Sequence, residues 1–291
     1  MNYLLLLLVI LVFSVQTLCF KLFSRTYMKN LASYMAFNSL YYAVIVAALA
    51  VSGVQLHGLH GLTAVLAVAF GIVFVASIFL YMKAMEHGPL SLSSLAFSFG
   101  LLVPILFGAA FWNEGISLLQ GIALLLLLFT FWLGGNTAQD QSRRINLKWL
   151  LFGLGAMLGN GALMTLSKAQ QMSLPGVEVR EFLLIAFGTA ALLSLAIFLI
   201  RRFRAGERVP QLKGRGFVLL VLATGITTAV GNLVGLFLSG RLPAVVQFPV
   251  TNGGIVFLSS LLSMALLKER MSRNGWIGLA LGLVALVLIS L

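Results

Sequence analysis

Long apolar runs alternate along this chain with short polar or glycine- and proline-containing breaks, and the run lengths identify the elements. A bilayer hydrocarbon core of about 30 Å is crossed by roughly 20 helical residues, and in lipid the backbone must satisfy its own hydrogen bonds. Cutting at the breaks predicts ten such helices, at about 3–20, 31–53, 62–84, 90–112, 116–135, 149–171, 180–200, 216–238, 244–267 and 275–291. The expected fold is an all-α integral membrane protein. The first run has no basic segment before it and no small-residue cleavage site after it, so it reads as a span. The longest connections, 136–148 and 201–215, leave no room for a soluble domain, and function is expected among the helices.

Composition agrees. Of 291 residues, 60% are apolar and 9% charged, with a mean hydropathy of +1.07, against about 25% charged residues in a soluble domain. The net charge of +12 does not form a basic stripe interleaved with aromatics, so no nucleic-acid partner is expected. Instead, 16 of the 19 Lys and Arg residues fall in odd-numbered connections; Lys168, Arg180 and Arg241 are the exceptions. Positive charge favours the cytoplasm, which predicts a plasma (inner) membrane protein with both termini outside. The lone Cys19 excludes an intrachain disulfide.

The polar linker around Thr137 to Arg144 lies near mid-chain, and the halves on either side repeat a pattern. His87-Gly-Pro89 opens a helix that ends at Trp-Asn-Glu114-Gly-Ile-Ser117; Arg241-Leu-Pro243 opens one that ends at Leu-Lys-Glu269-Arg-Met-Ser272. Pro to Glu is 25 residues in one and 26 in the other. Pro suits a first helical turn and Ser caps the next helix. With five spans per half, the second half enters from the opposite side. This predicts two inverted five-helix repeats, 1–138 and 139–291, with a site between them near the midplane. Pro89, Glu114, Pro243 and Glu269 are helix-end or gate candidates, with Lys268 and Arg270 beside the second glutamate.

The stretch Tyr81-Met-Lys-Ala-Met-Glu-His-Gly-Pro-Leu90, the helix ending in Glu114, and the Pro243-to-Glu269 unit with Gly275-Trp-Ile-Gly278 resemble the EamA-like branch of the drug/metabolite transporter superfamily. The resemblance covers nearly the whole chain. It implies transport of a small metabolite through a central cavity between the repeats, and both termini inside, against the charge count. Small multidrug members of that superfamily carry a proton-coupling glutamate in the first span, where this chain has Gln16 and no acid.

All seven acids lie at predicted span ends or in connections. Ionisable groups at mid-membrane are usually functional, so their absence speaks against a buried proton relay. No zinc motif, acid pair or nucleophile elbow stands out, and His57, His60 and His87 fall in or beside loops; no metal, cofactor or catalytic residue is expected. The spans do hold uncharged polar residues. Gln16, Asn38, Asn160, Asn232, Gln247 and Asn252 are amides with several groups to satisfy, and Ser77, Ser98 and Thr251 join them by helical spacing or by superposition of the repeats. Most Ser and Thr in such spans bond between helices; the amides are the better substrate-binding candidates. Asn252-Gly-Gly254 fits either a hinge or a close helix crossing.

The expected function is secondary transport or facilitation of a small polar metabolite, with the lipid bilayer as surroundings. Alternatives are a flippase for a lipid-linked substrate and, from another class, an intramembrane enzyme. Oligomeric state is not legible in the sequence.

Overall fold

The computed structural model describes residues 1–28, 30–54, 56–87, 90–135, 146–207, 209, 214–267 and 273–290, with the side chains of 90–92, 131 and 134–135 excepted. Helix makes up 87% of the described residues, and no strand occurs among them. The helices are α1 (Asn2–Thr26), α2 (Leu31–Val51), α3 (Gly61–His87), α4 (Leu90–Ser98), α5 (Leu102–Phe111), α6 (Leu118–Gly135), α7 (Leu147–Ser173), α8 (Val179–Phe203), α9 (Arg215–Ser239), α10 (Ala244–Leu267) and α11 (Arg273–Ile289). Among the described residues, eight stretches are long and apolar enough to cross a membrane, α4 and α5 together supplying one of them (Ser93–Phe111). Shorter apolar helices run over Leu118–Thr130 and Arg273–Ile289. Pro89, Glu269 and the boundary at 138/139 lie outside the described residues.

Several helices outrun their apolar stretch: α1 continues to Thr26 and α8 to Phe203. Side-chain caps fix where two of the helices begin. The Asn30 side chain accepts from the Ser33 N–H to start α2, and Asn146 accepts from Trp149 to start α7. Between α4 and α5 a single 3₁₀ turn, Phe99–Leu101, interrupts the predicted fourth span. Pro104 explains it, since proline lacks an N–H and its ring crowds the carbonyl four residues earlier, that of Gly100.

The helix pairings come in matching sets. α3 packs on α7 as α1 packs on α9, α3 meets α8 as α2 meets α9, and α4–α5 meets α7 as α10 meets α1; α2 pairs with α8 and α6 with α11. Glycines set the closest of these contacts. A Cβ on Gly71 would stand 2.5 Å from the Ala186 carbonyl oxygen, and one on Gly225 would stand 3.0 Å from that of Tyr41. A Cβ on Gly100 would stand 2.7 Å from the Met157 carbonyl oxygen, and one on Gly254 would stand 2.5 Å from the Ile10 side chain. Small residues let backbones approach closely where lipid supplies no hydrophobic drive between helices. α10 runs unbroken through Asn252-Gly253-Gly254, so here that sequence serves a close crossing.

An aromatic core holds α1, α2, α3, α8 and α9 together. Phe23 stacks on Phe37 at 3.9 Å, and Tyr41, Tyr42, Phe74 and Phe187 continue the cluster edge to face. Leu4, Leu7, Leu125, Leu192 and Val287 point outward, as lipid-facing residues would.

Three glutamates from connecting segments accept backbone N–H groups at helix starts elsewhere in the chain. Glu207 accepts from Ala32 at 3.0 Å (α2), Glu178 from His60 at 2.9 Å (α3), and Glu114 from Ala244 at 2.7 Å (α10). The positive end of the helix dipole and its unpaired N–H groups both favour a carboxylate there. Burial pushes the Glu178 pKa up, but hydrogen bonds from Thr63 and from the backbone and ring of His60 outweigh it and hold the carboxyl below its ordinary value.

Candidate functional site

A cavity of about 250 Å³ lies between α1, α3, α7, α8, α9 and α10. Six sequence candidates meet in its wall: Gln16, Asn160, Asn232, Gln247, Thr251 and Asn252. Ser167, Thr228 and Ser239 add hydroxyls, and Phe13, Phe70, Phe74 and Phe248 add aromatic surface. Among the described residues, no ionisable side chain is in the lining.

The polar groups are partly tied down. Gln16 donates to the Thr228 hydroxyl, which itself donates to the Thr224 carbonyl at 2.6 Å. Asn160 donates to the Phe97 carbonyl at 2.9 Å, joining α7 to α4, and Asn232 donates to the Thr228 carbonyl at 2.9 Å. Gln247 donates to the Gly235 carbonyl at 2.8 Å and to the Ser239 hydroxyl at 2.9 Å. A carbonyl only accepts, so the amide nitrogen of Gln247 must face Gly235, and this leaves its Oε1 without a partner among the described residues. An unfilled buried acceptor costs about 1–3 kcal/mol, a cost that a donor group would relieve.

Three candidates are not brought to the cavity. Asn38 is buried within α2, Ser77 bonds the Ala156 carbonyl at 3.4 Å on α7, and Ser98 bonds back to the Ser94 carbonyl at 2.9 Å. Among the aromatics, Phe248 lines the cavity whereas Tyr41 and Tyr42 belong to the core.

Sequence reasoning named Glu114 as a helix-end or gate candidate but missed its partner, Lys168. Lys168, on α7 and 1% exposed, places Nζ 2.6 Å from Glu114 Oε1, 2.7 Å from the Leu242 carbonyl and 3.2 Å from that of Ser239. Its ammonium also stands 5.8 Å from the Trp112 ring. Lys168, one of the three charges counted at the minority face, is a buried ion-pair partner. The signal was in the sequence, a single lysine inside an otherwise uncharged span. Glu114 reaches it because Asn113, two residues past the end of α5, adopts the left-handed conformation (φ 52°), which turns the glutamate back over Gly108, where a Cβ would lie 2.6 Å from its Oε2. One carboxylate thus caps α10 and pairs with Lys168 at once.

Neither a family model nor a curated protein matches the chain. In fold it is similar to a protein of known crystal structure, with a TM-score of 0.78 and 18% identity over 99% of this chain and 95% of the other. At that identity the likeness concerns the fold.

Proposed function

We propose that the chain is a secondary transporter or facilitator that moves a small, polar, net-neutral solute by alternating access between two inverted five-helix repeats, 1–138 and 139–291. The cavity carries this reading, because it gathers five amides and several hydroxyls from distant helices with no charged side chain among the described residues of its lining. A bare ion entering it would lose hydration that amides replace only in part, whereas a neutral solute with O–H or N–H donors matches acceptors such as Gln247 Oε1. The paired helix contacts and the matched glycines Gly71 and Gly225 support the repeat. The likeness of the Pro-to-Glu units to EamA-like drug/metabolite transporters points the same way.

With no carboxylate in the wall, transport runs as uniport or is coupled without a buried acid. The Lys and Arg bias puts odd-numbered connections in the cytoplasm, and the Lys168–Glu114 pair then faces outward. The test is uptake by purified protein in liposomes across a panel of neutral and charged polar metabolites. Neutral solutes should be taken up without a proton gradient, and Asn252→Leu and Gln247→Leu should weaken uptake while the protein still inserts. Uptake confined to charged solutes, or strictly dependent on a proton gradient, would overturn it.

A further inference from the structure

Lys168 does more than neutralise Glu114. Its ammonium holds the Ser239 and Leu242 carbonyls, tying α7 to the turn between α9 and α10. Ser239 meanwhile takes a hydrogen bond from Gln247 through its hydroxyl, inside the cavity wall. The pair therefore sits directly behind the cavity, as a latch across one end of it.

The matched contacts fix how the halves correspond. Gly71 meets Ala186 and Thr189, and Gly225 meets Tyr41 and Val44, so the same shift of 145 residues relates both partners on α2 and α8. For α1 and α7 the guide is the contact that Gly254 makes with Ile10 and Gly100 makes with Met157, a shift of 147 residues. That shift carries Lys21 onto Lys168. Lys21 stands near the end of α1 remote from the Lys168 latch, and its Nζ reaches the Ser263 hydroxyl of α10 at 3.4 Å.

From this correspondence we propose that Lys21 is a second latch, holding α1 to α10 at the opposite end of the cavity as Lys168 holds α7 to the start of α10. The inference rests on the alternating-access reading. A carrier of that kind must release its two ends in turn, so losing one latch should shift the population toward the state open at that end. The bland alternative is that Lys21 serves only as a topogenic charge.

The experiment uses full-length protein in a Cys19→Ser background, with Thr251→Cys as a cavity reporter and an impermeant thiol reagent applied to either face of oriented vesicles. Lys21→Met should speed labelling roughly tenfold from the face of the α1–α2 connection. Lys168→Met combined with Glu114→Gln, which strands no buried charge, should do so from the other face. Adding Lys21→Met to that pair should bring the two faces back toward balance, and Lys21→Arg should behave as Lys21 does. Unchanged labelling in Lys21→Met while the Lys168 variant shifts, or equal effects of Lys21→Met on both faces, would overturn the latch. Solute uptake by the unsubstituted protein is measured alongside; its absence would sink the transport reading separately from any result on Lys21.

Discussion

The α4–α5 segment and α10 follow corresponding prolines, Pro89 and Pro243, yet they have become different elements. α4–α5 breaks at a 3₁₀ turn ahead of Pro104, while α10 stays helical past Pro249. Their polar residues differ in use as well as in type. In the first half, Ser94 pairs with the Tyr81 hydroxyl at 2.7 Å, Ser93 accepts from the Trp149 indole at 3.0 Å, and Ser98 returns to its own helix. In the second half, Gln247, Thr251 and Asn252 line the cavity. Gly71 and Gly225 make comparable close packing contacts, whereas the polar residues of α10 enter the cavity wall and those of α4 do not. A hydroxyl has one donor to place and finds a backbone carbonyl within its own helix, while an amide carries more groups to satisfy.

The comparison can be broken most forcefully at the ion pair. Lys168→Met alone leaves Glu114 without its buried partner and should lower stability by about 3–5 kcal/mol, with the doubly neutral Lys168→Met/Glu114→Gln recovering much of the loss. Denaturation in detergent reads this directly; equal stability of the single and double variants would show that the charge pair is not the cause. Next come the shared packing contacts. Gly71→Ala and Gly225→Ala each drive a Cβ against a backbone carbonyl and should destabilise by similar amounts, about 1–3 kcal/mol. A large effect at one and none at the other would separate the halves in packing too.

The contrast in chemistry should appear in uptake. Asn252→Leu should slow transport about tenfold, the equivalent of about 1.4 kcal/mol, whereas Ser98→Ala should leave it nearly unchanged. Reversal of that order would return the site to the first half. The smallest effect concerns pH. The folded Glu178 carboxyl titrates below its ordinary value of 4.5, so its contribution is present above that pH and is lost as pH falls through the folded value. In Glu178→Gln the acid limb of the stability profile should flatten slightly, while the profile above pH 6 keeps its shape.

Much of the fold was legible because a membrane imposes length. Apolar runs of span length became helices, eight of them, among the described residues, long and apolar enough to cross a membrane. Part of the site was legible too, since amides in a hydrocarbon setting are few and each requires a reason. Gln16, Asn160, Asn232, Gln247 and Asn252 were named on that ground and share one wall, but Asn38 met the same criterion and lies elsewhere, buried in α2.

The sequence by itself determined the solvent of this chain, the helices that answer it and the absence of carboxylates from the span interiors. Tertiary structure alone decided which polar residues face one another. A span that is apolar all round does not mark its inward face, because lipid and protein interior are equally apolar and helical periodicity loses its contrast. Neither Gln16 against Thr228 nor Lys168 against Glu114 can be read from spacing, since each joins separate helices or connections far apart in the chain. Only when the helices close on one another do a lone lysine and a turn glutamate become a single buried pair.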